Sequence, residues 1–183
     1  GLGFTNYQIG MIIAVASAIG AIAAPFIAGQ IADRYIAPAR CLAVLLFFGG
    51  VIKFVTAYQT TFAVWLWLSI AYAILFMPTI SLTNSLALAH LPDPKRQFPR
   101  VRAVGTIAWI TVAWVFPMVW LQSDLEFRWL PPFFTGQELP NAPARMIDSV
   151  RVAGVVSVAY ALFCWFALPH APPKRDCGKT LAF

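Results

Sequence analysis

The 183 residues are 60% hydrophobic and 11% charged, with a net charge of +6. That composition excludes an ordinary soluble globular domain, whose helices each need a solvated face. The positive charge does not point to nucleic acid, because the basic residues sit in short loops between apolar spans, which is the pattern of membrane topology.

A bilayer core about 30 Å thick takes roughly 20 apolar residues of helix. Ile9–Ala32 carries no charge, and a first transmembrane helix is expected over about 7–32, closing at Asp33-Arg34. Ala16, Gly20, Ala24 and Ala28, extended by Gly29, form a stripe of small residues that lets a neighbouring helix approach, either as static packing or as a sliding surface. The second helix is expected over about 39–58, after Pro38 resets the chain, with Lys53 near its outer end and able to snorkel. The third, over about 61–89, is long enough to bend at Pro78, whose ring removes one backbone bond. Thr79 can satisfy that region locally, and Asn84 lies about one and a half turns further on, as interhelical glue or beside a pathway. The fourth is expected over about 100–121, after Phe98-Pro99.

The segment Gln122–Met146 then carries Pro131, Pro132, Pro140 and Pro143 with Trp129, Phe133 and Phe134. It reads as an interfacial or extracellular cap, with a substrate lid as the alternative. The fifth helix is expected over about 147–168, stopping at Pro169, and 171–183 begins a cytoplasmic loop. The expected fold is therefore an all-α membrane protein with five transmembrane helices.

Charge sets its sidedness. Arg34 and Arg40 lie in the first loop, Lys95, Arg96, Arg100 and Arg102 in the third, and Lys174, Arg175 and Lys179 in the tail. Five alternating crossings put all three on one face, the cytoplasmic one. The other face has the short Gln59–Thr60 link and the 122–146 segment, where Asp124, Glu126 and Glu138 outweigh Arg128 and Arg145. Gly1–Asn6 then starts outside, which suggests a preceding helix and a six-helix unit.

Enzymatic signals are missing from the sequence: there is no HExxH, no GxSxG and no Cys/His cluster. Cys41, Cys164 and Cys177 have no metal or redox spacing. What remains is an arginine inside an apolar span. Arg102, Thr106 and Trp109 stand at i, i+4 and i+7, one face over ~10 Å of helix. Arg102 either lines a watery cavity, with Thr106 offering a hydroxyl and Trp109 a π face, or snorkels to lipid phosphates while Trp109 packs.

Gly29-Gln30-Ile31-Ala32-Asp33-Arg34 resembles the signature loop of the major facilitator superfamily, in which the aspartate latches two helical halves together. Ile36-Ala37-Pro38-Ala39-Arg40 replaces the usual Gly-Arg-Arg, and the altered loop is similar to that of the nucleoside:proton symporter branch. Met77-Pro78-Thr79 with Leu82 and Asn84, then Phe98-Pro99-x-x-Arg102-x-x-Gly105-Thr106-Ile107, then Leu168-Pro169-His170-x-Pro172, resemble that branch in order and spacing. Val104 stands where its members usually carry tryptophan, and the 122–146 segment looks like an insertion.

The resemblance implies the amino-terminal half of such a transporter without its first helix, in a bacterial inner membrane. It implies proton-coupled nucleoside uptake by alternating access, with the carboxyl-terminal half as partner, no nucleic acid and no cofactor beyond the proton as coupling ion. Substrate contacts fall on Arg102, Thr106, Trp109 and Asn84, and gating or structural roles on Gly29, Asp33, Arg34, Pro78 and Gly105. No acidic residue lies within a helical core, so the proton-binding group is expected in the other half. A carrier for another polar solute such as a sugar, and a structural membrane subunit, are the alternatives.

Overall fold

In a computed structural model of the chain, residues 3–26, 37–127, 129 and 134–168 are described. Helix α1 (Asn6–Phe26) opens on a capping box: the Gln8 N–H donates to Thr5 Oγ1 at 3.3 Å and the Thr5 N–H to Gln8 Oε1 at 2.9 Å. Helix α2 (Pro38–Thr56) starts on a proline, whose missing N–H costs nothing in a first turn. Helix α3 (Phe62–His90) runs unbroken through Pro78, which is fully buried, and Thr79 Oγ1 donates to the Phe76 carbonyl at 2.6 Å just beyond it. Helix α4 (Pro94–Phe116) continues into a π-helical turn, Pro117–Leu121, and helix α5 spans Ala142–Ala167. All five are long and apolar enough to cross a membrane.

Two helices start earlier than the sequence suggested. Helix α4 begins at Pro94 instead of after Pro99, because the Asp93 side chain caps it by accepting from the Arg96 N–H at 3.3 Å. Pro99 then sits in the second turn, and the backbone carbonyl it leaves without a partner is one turn back, at the very start of the helix. Helix α5 begins at Ala142 instead of 147, with Pro143 tolerated in its first turn.

Between them the 122–146 segment is partly a β-hairpin. Strand β1 (Gln122–Phe127) pairs antiparallel with β2 (Phe134–Glu138), with an irregularity between Ser123 and Glu126 where Asp124 takes φ 52°. The Leu139 N–H closes its base on the Leu121 carbonyl at 3.0 Å. The all-helical membrane fold thus gains one β element between α4 and α5.

Packing follows the small residues. Helix α1 lies along α3, and α2 along both α3 and α5. Gly20 and the buried Ala16 of the small-residue stripe meet α3, where a Cβ on Gly20 would come within 2.9 Å of the Ala73 carbonyl oxygen. Ala28 and Gly29 lie outside the described residues. A second close crossing went unread in the sequence: a Cβ on Gly50 of α2 would stand 2.9 Å from the Gly154 carbonyl of α5, and one on Gly154 would stand 3.0 Å from the Gly50 carbonyl. Beside this crossing the main core joins Cys41, Leu42, Leu45 and Leu46 of α2, Leu82 of α3, and Ala161 and Cys164 of α5. Helix α4 contributes no buried residue.

Candidate functional site

The site begins with two faces. On α3, Ile80, Thr83, Asn84 and Ala87 fall at i, i+3, i+4 and i+7, one side of a helix. On α4, Phe98, Val101, Arg102, Gly105, Thr106 and Trp109 repeat the same period. The short link from His90 to Pro94 turns α4 back beside α3, and these two faces flank a cavity of ≈ 590 Å³. That volume lies within the ~300–1,000 Å³ of small-molecule sites.

The cavity is open-sided. Trp109 is 73% exposed, Asn84 is half-buried, and Arg102 and Thr106 are exposed. Thr106 Oγ1 donates its proton to the Arg102 carbonyl at 3.0 Å, and Thr83 Oγ1 donates to the Thr79 carbonyl at 2.7 Å. With their protons committed, both hydroxyl oxygens face a ligand as acceptors. The Arg102 guanidinium and the Asn84 amide bond no described residue, so their donors, and the amide oxygen, remain for a guest. Among the described lining residues Arg102 is the one that is charged, and none is a carboxylate. The cavity therefore suits a neutral or weakly anionic molecule rich in hydroxyl and amide-like groups, with a flat part to lie against Trp109.

Asn84, Arg102, Gly105, Thr106 and Trp109 thus come together around one space. A Cβ on Gly105 would meet nothing within 4 Å among the described residues. Pro78 stands apart from the lining, in the middle of α3. Gly29, Asp33 and Arg34 lie outside the described residues, as do Pro169, His170 and Pro172. Thr83, Phe98 and Val101 were not singled out in the sequence as lining residues. Helical spacing from Asn84 and Arg102 was the signal that could have found them.

Lys53, expected to snorkel, instead holds its ammonium 4.5 Å from the centre of the Tyr72 ring on α3, a cation–π contact.

Comparison with known proteins gives one consistent result. The sequence profile of the family described as "Nucleoside H+ symporter" matches residues 1–182. The chain is 37% identical over 177 residues to YegT of Escherichia coli (strain K12), whose name carries a provisional nucleoside-transporter assignment. It is 32% identical over 130 residues to the xanthosine permease of the same organism. These alignments cover 97% and 68% of the chain but 37% and 31% of the relatives, so the chain spans about a third of the length of the curated proteins it matches. Its fold is that of the crystal structure of the nucleoside transporter NupG (D323A mutant), with a TM-score of 0.72, 23% identity, and coverage of 98% of this chain and 40% of that one.

Proposed function

From its membership of the nucleoside:proton symporter family within the major facilitator superfamily, we propose that this chain forms one substrate-binding wall of a bacterial inner-membrane carrier importing nucleosides with protons. The observation that carries the reading is the ≈ 590 Å³ space where Asn84 of α3 meets Arg102, Thr106 and Trp109 of α4. A nucleoside has ribose hydroxyls that donate to the Thr83 and Thr106 oxygens. Its base edge takes hydrogen bonds from Arg102 and Asn84, and its ring stacks on the Trp109 indole.

Nothing in this scheme makes or breaks a covalent bond of the substrate. The activity is transport, not enzymatic turnover, and it needs no cofactor beyond the coupling proton. Alternating access places such a site between two helical bundles that rock about it. We assign the second bundle, and the group that binds the proton, to the part of the relatives' length beyond this chain. Asp33 and Arg34 are proposed as a latch between the bundles.

The test is uptake of labelled uridine by the product of the complete gene, in cells lacking nucleoside carriers, with and without a proton gradient. Accumulation that needs the gradient and is competed by other nucleosides supports the reading. Well-inserted protein with no uptake of any nucleoside would overturn it, and sugars would then be the next solutes to try.

A narrower prediction concerns Gly105. Replacing it with leucine fills open space and not a packed contact, so the amount of inserted protein should hold while apparent nucleoside affinity falls about tenfold or more. Unchanged affinity would take Gly105 off the cavity wall.

A further inference from the structure

Helix α4 carries most of the cavity's polar groups yet buries none of its own side chains. Among the described helices, core packing does not set its angle to α3. At one end the restraint is covalent: three residues, Leu91 to Asp93, separate α3 from α4, and Asp93 caps the new helix. With only that pin, α4 would swing about its cytoplasmic end, and the cavity would widen or close with it.

The second pin lies at the other end. In the π-helical turn that prolongs α4, the Trp120 indole N–H donates to Asp148 Oδ2 of α5 at 3.1 Å. The Arg145 guanidinium donates to the Trp120 carbonyl at 3.2 Å and lies 5.8 Å from the centre of the Trp120 ring. Asp148 is itself held: Arg151, one turn on, donates to Oδ1 at 2.9 Å, and the Arg151 guanidinium also covers the Tyr58 ring at the end of α2, 5.0 Å from its centre. The Asp148 carboxylate and the Arg145 guanidinium therefore tie the far end of α4 to α5, and Arg151 carries the link on to Tyr58, just beyond the end of α2. Those two helices also share the tight Gly50–Gly154 crossing, so α4 is fastened to the firmest pair in the bundle.

We propose that Asp148 is a positioning residue for the cavity: by holding Trp120 it fixes the angle between α4 and α3, and with it the distance of Arg102, Thr106 and Trp109 from Asn84. The proposal rests on the cavity being the substrate site, and its action is at a distance, since Trp109 and Trp120 are 11 positions apart in sequence, or ~16 Å along a helix.

The experiment combines a distance and an affinity. Spin labels at positions 67 and 112, both exposed on α3 and α4, report the gap between the helices where a swing is largest. Cys41 and Cys164 are buried and stay unlabelled, and Cys177 is replaced by serine. In the product of the complete gene in liposomes, Asp148→Ala and Trp120→Phe should each broaden the interlabel distance or shift it by about 3 Å, the movement of a ~30 Å lever tilted by about 6°.

The dissociation constant for uridine should rise about tenfold in both. The double variant should be no worse than Asp148→Ala alone, as expected for two partners of one bond. Asp148→Asn keeps an oxygen for the indole and should stay within about threefold of wild type. An unchanged distance in both single variants, or additive losses in the double, would overturn the proposal. Should the wild type bind no uridine, the substrate reading fails on its own, and the distance measurement still decides whether Asp148 sets the angle.

Discussion

Replacing Arg102 with alanine is expected to cut nucleoside uptake by about ten- to a hundredfold while the protein still inserts, the range for losing a hydrogen bond from a charged donor. The physical reason is the cost of keeping the residue where it is. A cation in a membrane span costs roughly 2.5–3.5 kcal/mol at the bilayer centre, and it is tolerated where it faces a partner or water. Arg102 has no partner among the described side chains, and it faces the cavity. Lysine should rescue only in part, because a point charge cannot offer the planar fork of donors that a base edge can accept. The check is uptake of labelled uridine normalised to inserted protein. Full uptake in Arg102→Ala would return the arginine to a snorkelling role at the lipid headgroups.

Gly50→Leu should act on the fold instead of the site. A Cβ there would lie 2.9 Å from the Gly154 carbonyl oxygen and 2.8 Å from Val158 Cγ2. The valine methyl can rotate away, but the backbone carbonyl moves only if α5 does. Separating α2 from α5 also opens the cluster around Leu42 and Cys164. A loss of about 3 kcal/mol, at the upper end for overpacking, is expected, seen as a lower midpoint of thermal unfolding in detergent and less monodisperse protein. Gly10→Leu is the control, since a Cβ there meets nothing within 4 Å. Equal stability of the two variants would show that the α2–α5 crossing is not a tight one.

How much of this could be read from residues alone depends on the range of the interaction. The five spans were legible because charge exclusion over 20 residues is a local property, and Ile9–Ala32 needs no partner to show it. The Arg102, Thr106 and Trp109 face was legible because helical spacing fixes it. That Asn84 stands across from that face depends on how α3 and α4 meet, and there only the resemblance to a known family offered guidance.

Prolines misled in two places. Pro99 looks like a boundary although Asp93-Pro94 is the better start, and Pro143 looks like loop punctuation although the first turn of a helix accepts it. The hairpin was hidden by composition: Asp124-Leu125-Glu126-Phe127 alternates as a strand does, but prolines nearby drew attention to a cap. The Trp120–Asp148 bond joins residues 28 positions apart across that hairpin, and no sequence pattern announces it.

The bare sides of α4 bear on how the protein is made. A helix that later gains burial can be rescued after synthesis if it enters the bilayer poorly. Helix α4 has no such second chance from the helices described, since none of its residues becomes buried. Among the described residues, what α4 carries for its entry and direction is its own apolar length and the basic Lys95, Arg96, Arg100 and Arg102 in its first three turns. Arg102 thus belongs to two sets at once, the basic residues that open α4 and the lining of the cavity.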